Sequence, residues 1–265
     1  MSEDPVRLEV QDGVCVLTLD NPPLNLVTLA LTRRLADALS QALELARTGN
    51  GLRALVITGA GTKAFCCGSD LSEFPPLMVP GEVVPRKLGP ENAAFSALAR
   101  FPVATIAAVN GLAFGGGLEL ACCCDLIVAS ADARMCLPEV KLGLIPGSGG
   151  TVRVTRRIGD GRAREMMLLA NPIDAATALS WGLVNRVVPA GEALAGAHAL
   201  AAGLEGRSPQ AIELCKAALD LAYDRSVDEC IAAVLDMSDR AFSSTDAREG
   251  VRAFLAKEPA RFRSA

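Results

Sequence analysis

Two glutamates carry the most chemistry in this chain of 265 residues. Glu119 lies in NGLAFGGGLELACCCDLIVA, two residues past a glycine triplet and inside an almost wholly apolar stretch. Desolvating an isolated carboxylate is costly, so this group must be protonated or specifically partnered. Glu139 follows Pro138 in LPEVKLGLIPGSGGT, just before a second glycine cluster. Backbone N–H groups at a helix start lack partners within the helix and carry partial positive charge, which suits a phosphate or a developing oxyanion. Two acids, each beside such donors, point to acid/base chemistry on a carbonyl compound.

Each feature has a plainer reading. Glu119 is otherwise a solvated helix charge, although Leu118, Leu120 and Ala121 flank it. Glu139 is otherwise a first-turn acid complementing a helix dipole. Gly115-Gly116-Gly117 otherwise permits close helix–strand packing, and Asp70 reads as a helix-start acceptor. The triplet lacks the G-x-G-x-x-G spacing of a dinucleotide site, and Gly147-Ser148-Gly149-Gly150-Thr151 lacks the lysine of a phosphate-binding loop. Cys67 and Leu71 flank Gly68-Ser69-Asp70 where a nucleophile elbow needs glycines. A serine triad would need the sole histidine, His198, which sits in an alanine-rich helical run. Nine cysteines are an odd number, and Cys66-Cys67 and Cys122-Cys123-Cys124 are contiguous rather than spaced as metal ligands. They are expected to be reduced, buried and alanine-like, with no metal site.

The elements that position these groups are legible in outline. With 51% apolar residues a sizeable core is available, and a formal charge of −4 argues against a nucleic-acid surface. The acidic N-terminal segment has no signal-peptide pattern, and the most apolar run, residues 102–112, is too short to span a bilayer. The expectation is a cytoplasmic protein with no membrane association. VRLEVQDGVCVLTLD predicts a hairpin. Leu31, Leu35, Leu39 and Leu43 predict an amphipathic helix over residues 29–46. LRALVITG and FPVATIAAVNG read as buried strands, and TKAFCCGSDLSEF as a loop turning into a short helix. Residues 72–97 are Pro-rich and read as a mobile loop, turning helical from Asn92. A helix follows the glycine triplet, then a strand in DLIVAS and a short one near ARMCLP. Further helices are expected at 163–169 and in IDAATALSW, before a last strand in NRVVP. Buried strands alternating with helices indicate an α/β core over residues 1–190. Residues 191–265 read as two or three long helices, broken near Ser208-Pro209 and Asp224-Arg225.

AFCCGSDL, then PVATIAAVNGLAFGGGLELACCCD, then LPEVKLGLIPGSGGT resembles the crotonase (enoyl-CoA hydratase/isomerase) superfamily. LTLDNPPLN, ALSWGLVNRVV and EGVRAFLAKEPARF extend the resemblance from about Val6 to Phe262. It implies an α/β spiral of ββα units with a C-terminal helical trimerisation region, assembled as a homotrimer or a dimer of trimers. It implies an acyl-CoA thioester substrate and no cofactor other than the CoA of that substrate. The implied oxyanion hole is the main-chain N–H of Ser69 and that of Gly116. Hydratases of the family carry both acids matching Glu119 and Glu139, whereas many isomerases keep only the second. Addition of water to a 2-enoyl-CoA is therefore the expected reaction, with Δ3,Δ2-isomerisation or a non-catalytic CoA-binding scaffold as alternatives. Gly147 is expected to help position the water. Leu24, Leu26, Lys63, Cys67, Gly68 and Lys257 are the expected CoA contacts, the last across a subunit boundary. Phe114 and residues 72–97 are expected to line the acyl pocket, and EFPPLMVP favours an apolar acyl group.

Overall fold

A computed structural model describes residues 4–48 and 51–262. The chain opens with the antiparallel hairpin β1 (Val6–Gln11) and β2 (Val14–Leu19), turned by Asp12 and Gly13, both at positive φ. Helix α1 (Leu29–Arg47) follows, capped by the Thr28 hydroxyl, which accepts from Leu31 N–H at 3.0 Å. It buries Leu31, Leu35 and Leu39, the face expected from its leucine spacing.

Two sheets organise the remainder. The larger runs β1-β2-β3-β5-β7-β10, with β3 (Ala54–Gly59), β5 (Ala104–Val109), β7 (Leu126–Ser130) and β10 (Arg186–Val188). From β2 onward its pairs are parallel. Central strands are buried on both faces, which is why they read as continuous apolar runs. Alternate residues divide between two cores: Leu55, Ile57, Ala107 and Ile127 join α1, whereas Val56, Ile106, Ala108 and Val128 face the opposite side. The smaller sheet runs β4-β6-β8-β9, with β4 (Ala64–Cys66), β6 (Leu112–Phe114), β8 (Arg134–Cys136) and β9 (Ile173–Asp174). Each of β3, β5 and β7 is followed by a short strand of this second sheet, then by helical structure, as a ββα spiral requires.

Several local expectations change. TKAFCC contributes strand β4, and β6 precedes the glycine triplet; three residues are too few to show a period. Residues 72–97 are largely ordered into turns and helix: 3-10 turns at Leu71–Glu73 and Pro75–Leu77, a π-helical turn at Val84–Leu88, and helix α2 (Gly89–Ala99). Pro85 and Pro90 occupy the opening turns of the last two, where the missing N–H costs nothing. Helix α3 (Gly116–Ala121) follows the triplet, and α4 (Gly150–Ile158), unanticipated, precedes α5 (Asp160–Leu169). Helix α6 (Ala175–Trp181) ends at Gly182 in the left-handed region.

Four helices close the chain rather than two or three: α7 (Ala193–Ala202), α8 (Pro209–Leu221), α9 (Val227–Phe242) and α10 (Thr245–Ala256). The additional break, at Ser243-Ser244, is a third serine cap after Ser208 and Ser226, with Ala247 N–H donating to the Ser244 hydroxyl. The division at residue 190 falls just before α7, whose Ala193, Ala197 and Ala201 pack on Val56, Ile106 and Val128 of the large sheet. Among the described residues no helix is long and apolar enough to cross a membrane.

Candidate active site

The small sheet aligns the loops that carry the chemistry. Strands β4, β6 and β8 are parallel, with Cys66 beside Ala113 and Phe114 beside Cys136, and the register of β4 against β6 shifts between Ala64 and Cys66. Their carboxyl ends therefore lie along one edge, where parallel α/β sheets place ligands. Ser69 follows the end of β4, Gly116 the end of β6 and Glu139 the end of β8. Gly115 N–H donates to Cys136 C=O at 2.9 Å and ties two of these loops together.

The glycine triplet is dictated by packing as well as by its N–H groups. Gly115 sits at φ +53° and ψ −128°, and a methyl there would lie 3.1 Å from Glu139 Oε1. At Gly117 a methyl would overlap the Cys66 carbonyl, so α3 starts directly against β4. A methyl at Gly68 would lie 3.0 Å from Gly116 N, which places the Ser69 loop against the helix start. Among the described residues neither the Ser69 N–H nor the Gly116 N–H donates to a protein acceptor. Two adjacent loops thus present two uncommitted donors.

Both acids face this region. Glu119, on α3, is 2% exposed. Its Oε1 accepts from Ser148 N–H at 2.8 Å and from Gly150 N–H at 2.7 Å, so the second glycine cluster holds the first acid. Burial pushes its carboxyl up to about 7, the charge of Glu139 adds to the rise, and the two amide donors oppose it. Glu139 is half-buried at the start of a 3-10 turn, Glu139–Leu142. Its Oε2 is buried with no protein partner, and burial raises its pKa. The adjacent glycines bring the two acids to one region: a methyl on Gly115 would lie 3.1 Å from Glu139 Oε1, and one on Gly116 would lie 3.9 Å from Glu119 Oε2.

Nearby positions are distributed unevenly. Leu24 and Leu26 are half-buried beside the Ser69 loop, where Cys67 N–H donates to Leu24 C=O at 3.0 Å. The Gly68 carbonyl, expected to face a ligand, already accepts from Val27 N–H at 2.8 Å and keeps only a second lone pair. Lys63 is exposed near Cys67. Phe114 is half-buried at the end of β6, and Gly147 is exposed, with its carbonyl accepting from Asn92 Nδ2 at 3.0 Å. Lys257 is exposed at the left-handed end of α10, a helix that packs on α9, and among the described residues no hydrogen bond or ion pair joins it to the glycine loops. Asp70 caps the turn after it, accepting from Ser72 N–H at 2.9 Å, as expected. His198 is exposed on α7, so no serine triad assembles. Cys66 and Cys122–Cys124 are buried, and burial pushes the Cys66 thiol to about 12.

A cluster absent from the motif reading lies behind the cleft. Glu91 and Lys87 are each 1% exposed, with Lys87 Nζ 3.9 Å from Glu91 Oε2 and 3.2 Å from Glu73 Oε2. Lys87 also donates to Val27 C=O at 3.1 Å. Ser148 Oγ donates to Glu91 Oε1 at 2.6 Å. The only sequence signal was the i, i+4 pairing of Lys87 with Glu91 within a Pro-interrupted segment.

Comparisons with known proteins identify the family. A family model described as Enoyl-CoA hydratase/isomerase matches residues 9–265. The chain belongs to that family. A Bacillus subtilis protein named "Probable enoyl-CoA hydratase" is 36% identical, covering 97% of this chain and 98% of its own. The short-chain-enoyl-CoA hydratase of Clostridium acetobutylicum is 34% identical, covering 97% of each chain. Among solved structures, an enoyl-CoA hydratase from Bacillus anthracis superposes with a TM-score of 0.91 at 30% identity, covering 98% of this chain and all of that one. The fold is thus that of the crotonase superfamily.

Proposed function

We propose that this enoyl-CoA hydratase/isomerase family member is a hydro-lyase that adds water across the 2,3 double bond of an enoyl-CoA thioester. The observation that carries this reading is the placement of Glu119 and Glu139 against Gly116 and Gly115, beside two uncommitted amides. The N–H groups of Ser69 and Gly116 receive the thioester oxygen and make the β-carbon electrophilic. Glu119, ionised, takes a proton from water as the water oxygen bonds to the β-carbon. The electron pair of the double bond moves toward the thioester, and the amides stabilise the resulting enolate oxygen. Glu139, protonated, then delivers its proton to the α-carbon. The product is a 3-hydroxyacyl-CoA, with no net change in redox state and no call for a redox cofactor.

The surroundings of the two acids support this division of roles. Two amide donors point at Glu119 Oε1 and favour its charge, whereas the buried Glu139 Oε2 has no donor. Two nearby anions repel, so the pair shares one proton near neutrality, and the proposed roles need it on Glu139 when water adds. Because the base must be ionised, kcat/KM is expected to fall as pH drops below about 7, the value to which burial raises the Glu119 carboxyl. A profile flat from pH 5 to pH 8 would contradict these roles.

The same reading places the pantetheine along Leu24 and Leu26 and the adenine against the carbonyl edge of Cys67 and Gly68. Lys63 then meets a phosphate, Gly147 N–H helps to hold the water, and Phe114 flanks the acyl group. Lys257 reaches CoA only from a second copy of the chain. A self-associating C-terminal region fits this arrangement: α9 buries none of its residues, yet Val227, Ile231, Leu235 and Phe242 are apolar and exposed. Phe254 and Leu255 extend the patch on α10. The expected species in solution is a trimer or hexamer by light scattering, and the double substitution I231E/L235E is expected to give single chains.

Incubation of the purified protein with crotonyl-CoA tests the reaction. Hydration bleaches the conjugated enoyl absorbance and yields a 3-hydroxyacyl-CoA. No bleaching, together with gain of that absorbance from a 3-enoyl-CoA, would instead establish isomerisation through Glu139.

A further inference from the structure

The loop holding Glu119 is itself clamped from behind. Residues 147–150 meet the start of α2 at three points. Asn92 Nδ2 donates to Gly147 C=O at 3.0 Å, and a methyl on Gly147 would lie 3.1 Å from Leu88 Cδ2. The third point is the bond from Ser148 Oγ to Glu91 Oε1 at 2.6 Å. Ser148 is 1% exposed, and all its polar atoms are engaged: its N–H with Glu119, its carbonyl with Arg153 Nη1 at 3.1 Å, its hydroxyl with Glu91. A methyl on Gly116 would lie 3.3 Å from Glu91 Oε1 and 3.9 Å from Glu119 Oε2, so both carboxylates border the same glycine.

We propose that Glu91 is a positioning residue for Glu119: through the Ser148 hydroxyl it fixes the loop whose two amides hold that carboxylate. Lys87 supplies the countercharge that lets an acid serve there. The π-helical turn at Val84–Leu88 leads directly into α2, and Lys87 and Glu91 straddle the join with their heads together. Glu91 thus fixes the geometry of the base without touching the reacting atoms. Burial raises the Glu91 carboxyl, against the Ser148 hydroxyl and Lys87, and to the extent that Glu91 is ionised its charge opposes ionisation of Glu119. The titratable and charged groups facing Glu91 are Lys87 and Glu73 from the preceding turns, Glu119 from α3 and the Cys66 thiol from β4.

This inference rests on the hydratase reading for its kinetic test and is independent of it in a second. In crotonyl-CoA hydration, E91A and S148A are each expected to lower kcat about 10- to 10²-fold, the cost of a misplaced group, with KM little changed. The double variant E91A/S148A is expected to be no slower than the slower single, since both break one link. E91Q keeps an acceptor for the hydroxyl and is expected to recover most of the rate lost in E91A. The second readout is the ¹³C carboxyl titration of Glu119, assigned by comparison with E119Q. S148A is expected to move its midpoint up as the amide grip loosens, and E91Q to move it down as the rear charge disappears. Independent, multiplicative losses in the double variant, or a Glu119 midpoint unmoved in both S148A and E91Q, overturn the tether. If the parent protein hydrates no enoyl-CoA, the hydratase reading fails and the titration alone decides the tether. Should E91A not fold, S148A and E91Q carry the same decision.

Discussion

Glu119→Gln is expected to lower kcat for crotonyl-CoA hydration by about 10²–10⁴-fold, the usual contribution of a general base, with KM changed far less. The amide is nearly isosteric, and its oxygen can still accept from Ser148 N–H and Gly150 N–H, so the loss reports proton abstraction rather than collapse of the loop. A second readout has the opposite sign. The folded protein raises the Glu119 carboxyl from 4.5 to about 7, so it binds that proton more tightly than the unfolded chain does. The stabilisation from that group is complete below pH 4.5 and is lost as pH rises through about 7. Above that, the buried anion costs about 3 kcal/mol relative to a neutral group of the same shape. E119Q is therefore expected to melt above the parent at pH 8, with the difference closing by pH 5. A variant that is inactive and also less stable at pH 8 would make Glu119 a structural charge. Thermal unfolding at the two pH values, alongside steady-state kinetics, separates the cases.

Opposite responses of activity and stability follow from how the site is built. An acid at the centre of a parallel-strand edge is useful because it is dry, and a dry carboxylate is held at a cost in stability. The main chain offsets part of that cost with two donors from a loop distant in sequence. The same separation explains what the sequence could and could not disclose. Glu119 and Glu139 were conspicuous because each is an ionisable residue among apolar neighbours and glycines, a local contrast. The hairpin and α1 were legible because their periods repeat over enough residues to be read. Glu91 was not, since what makes it matter is a bond to Ser148, 57 positions away. Its own surroundings, GPENAAF, carry a proline that reads as a breaker although Pro90 opens α2. Strands β4 and β6 were obscured for another reason: three residues pair with neighbours far along the chain and have no local signature. Helix α4 was hidden by its glycine-rich start and by Val152 and Val154, which weaken helical propensity, although tertiary packing of Val154 and Ile158 decides the outcome.

Gly116→Pro is the second substitution with a large expected effect, because it deletes an oxyanion donor while respecting the fold. Gly116 is the first residue of α3, and proline is well tolerated at that position, where the N–H has no helical partner. Gly115, just before it, has no Cβ to clash with the ring. Removing one oxyanion donor is expected to lower kcat by about 10²–10³-fold. In this site the loss should reach at least the upper end, because the ring also occupies the space into which the N–H points. Gly116→Ala supplies the control. It retains the N–H and adds a methyl 3.3 Å from Glu91 Oε1 and 3.6 Å from Gly68 Cα, a tight contact that small shifts relieve. The expected order of kcat is therefore parent, then alanine, then proline, with the wide gap between the last two. Equal rates for the two variants would mean that crowding at Gly116, and not its N–H, governs turnover. An unreactive substrate analogue completes the argument: a donor working chiefly in the transition state is missed little in ground-state binding. Affinity for a saturated acyl-CoA should thus fall much less than kcat in an N–H deletion, and a parallel collapse of both would show that the ring simply blocks the cleft.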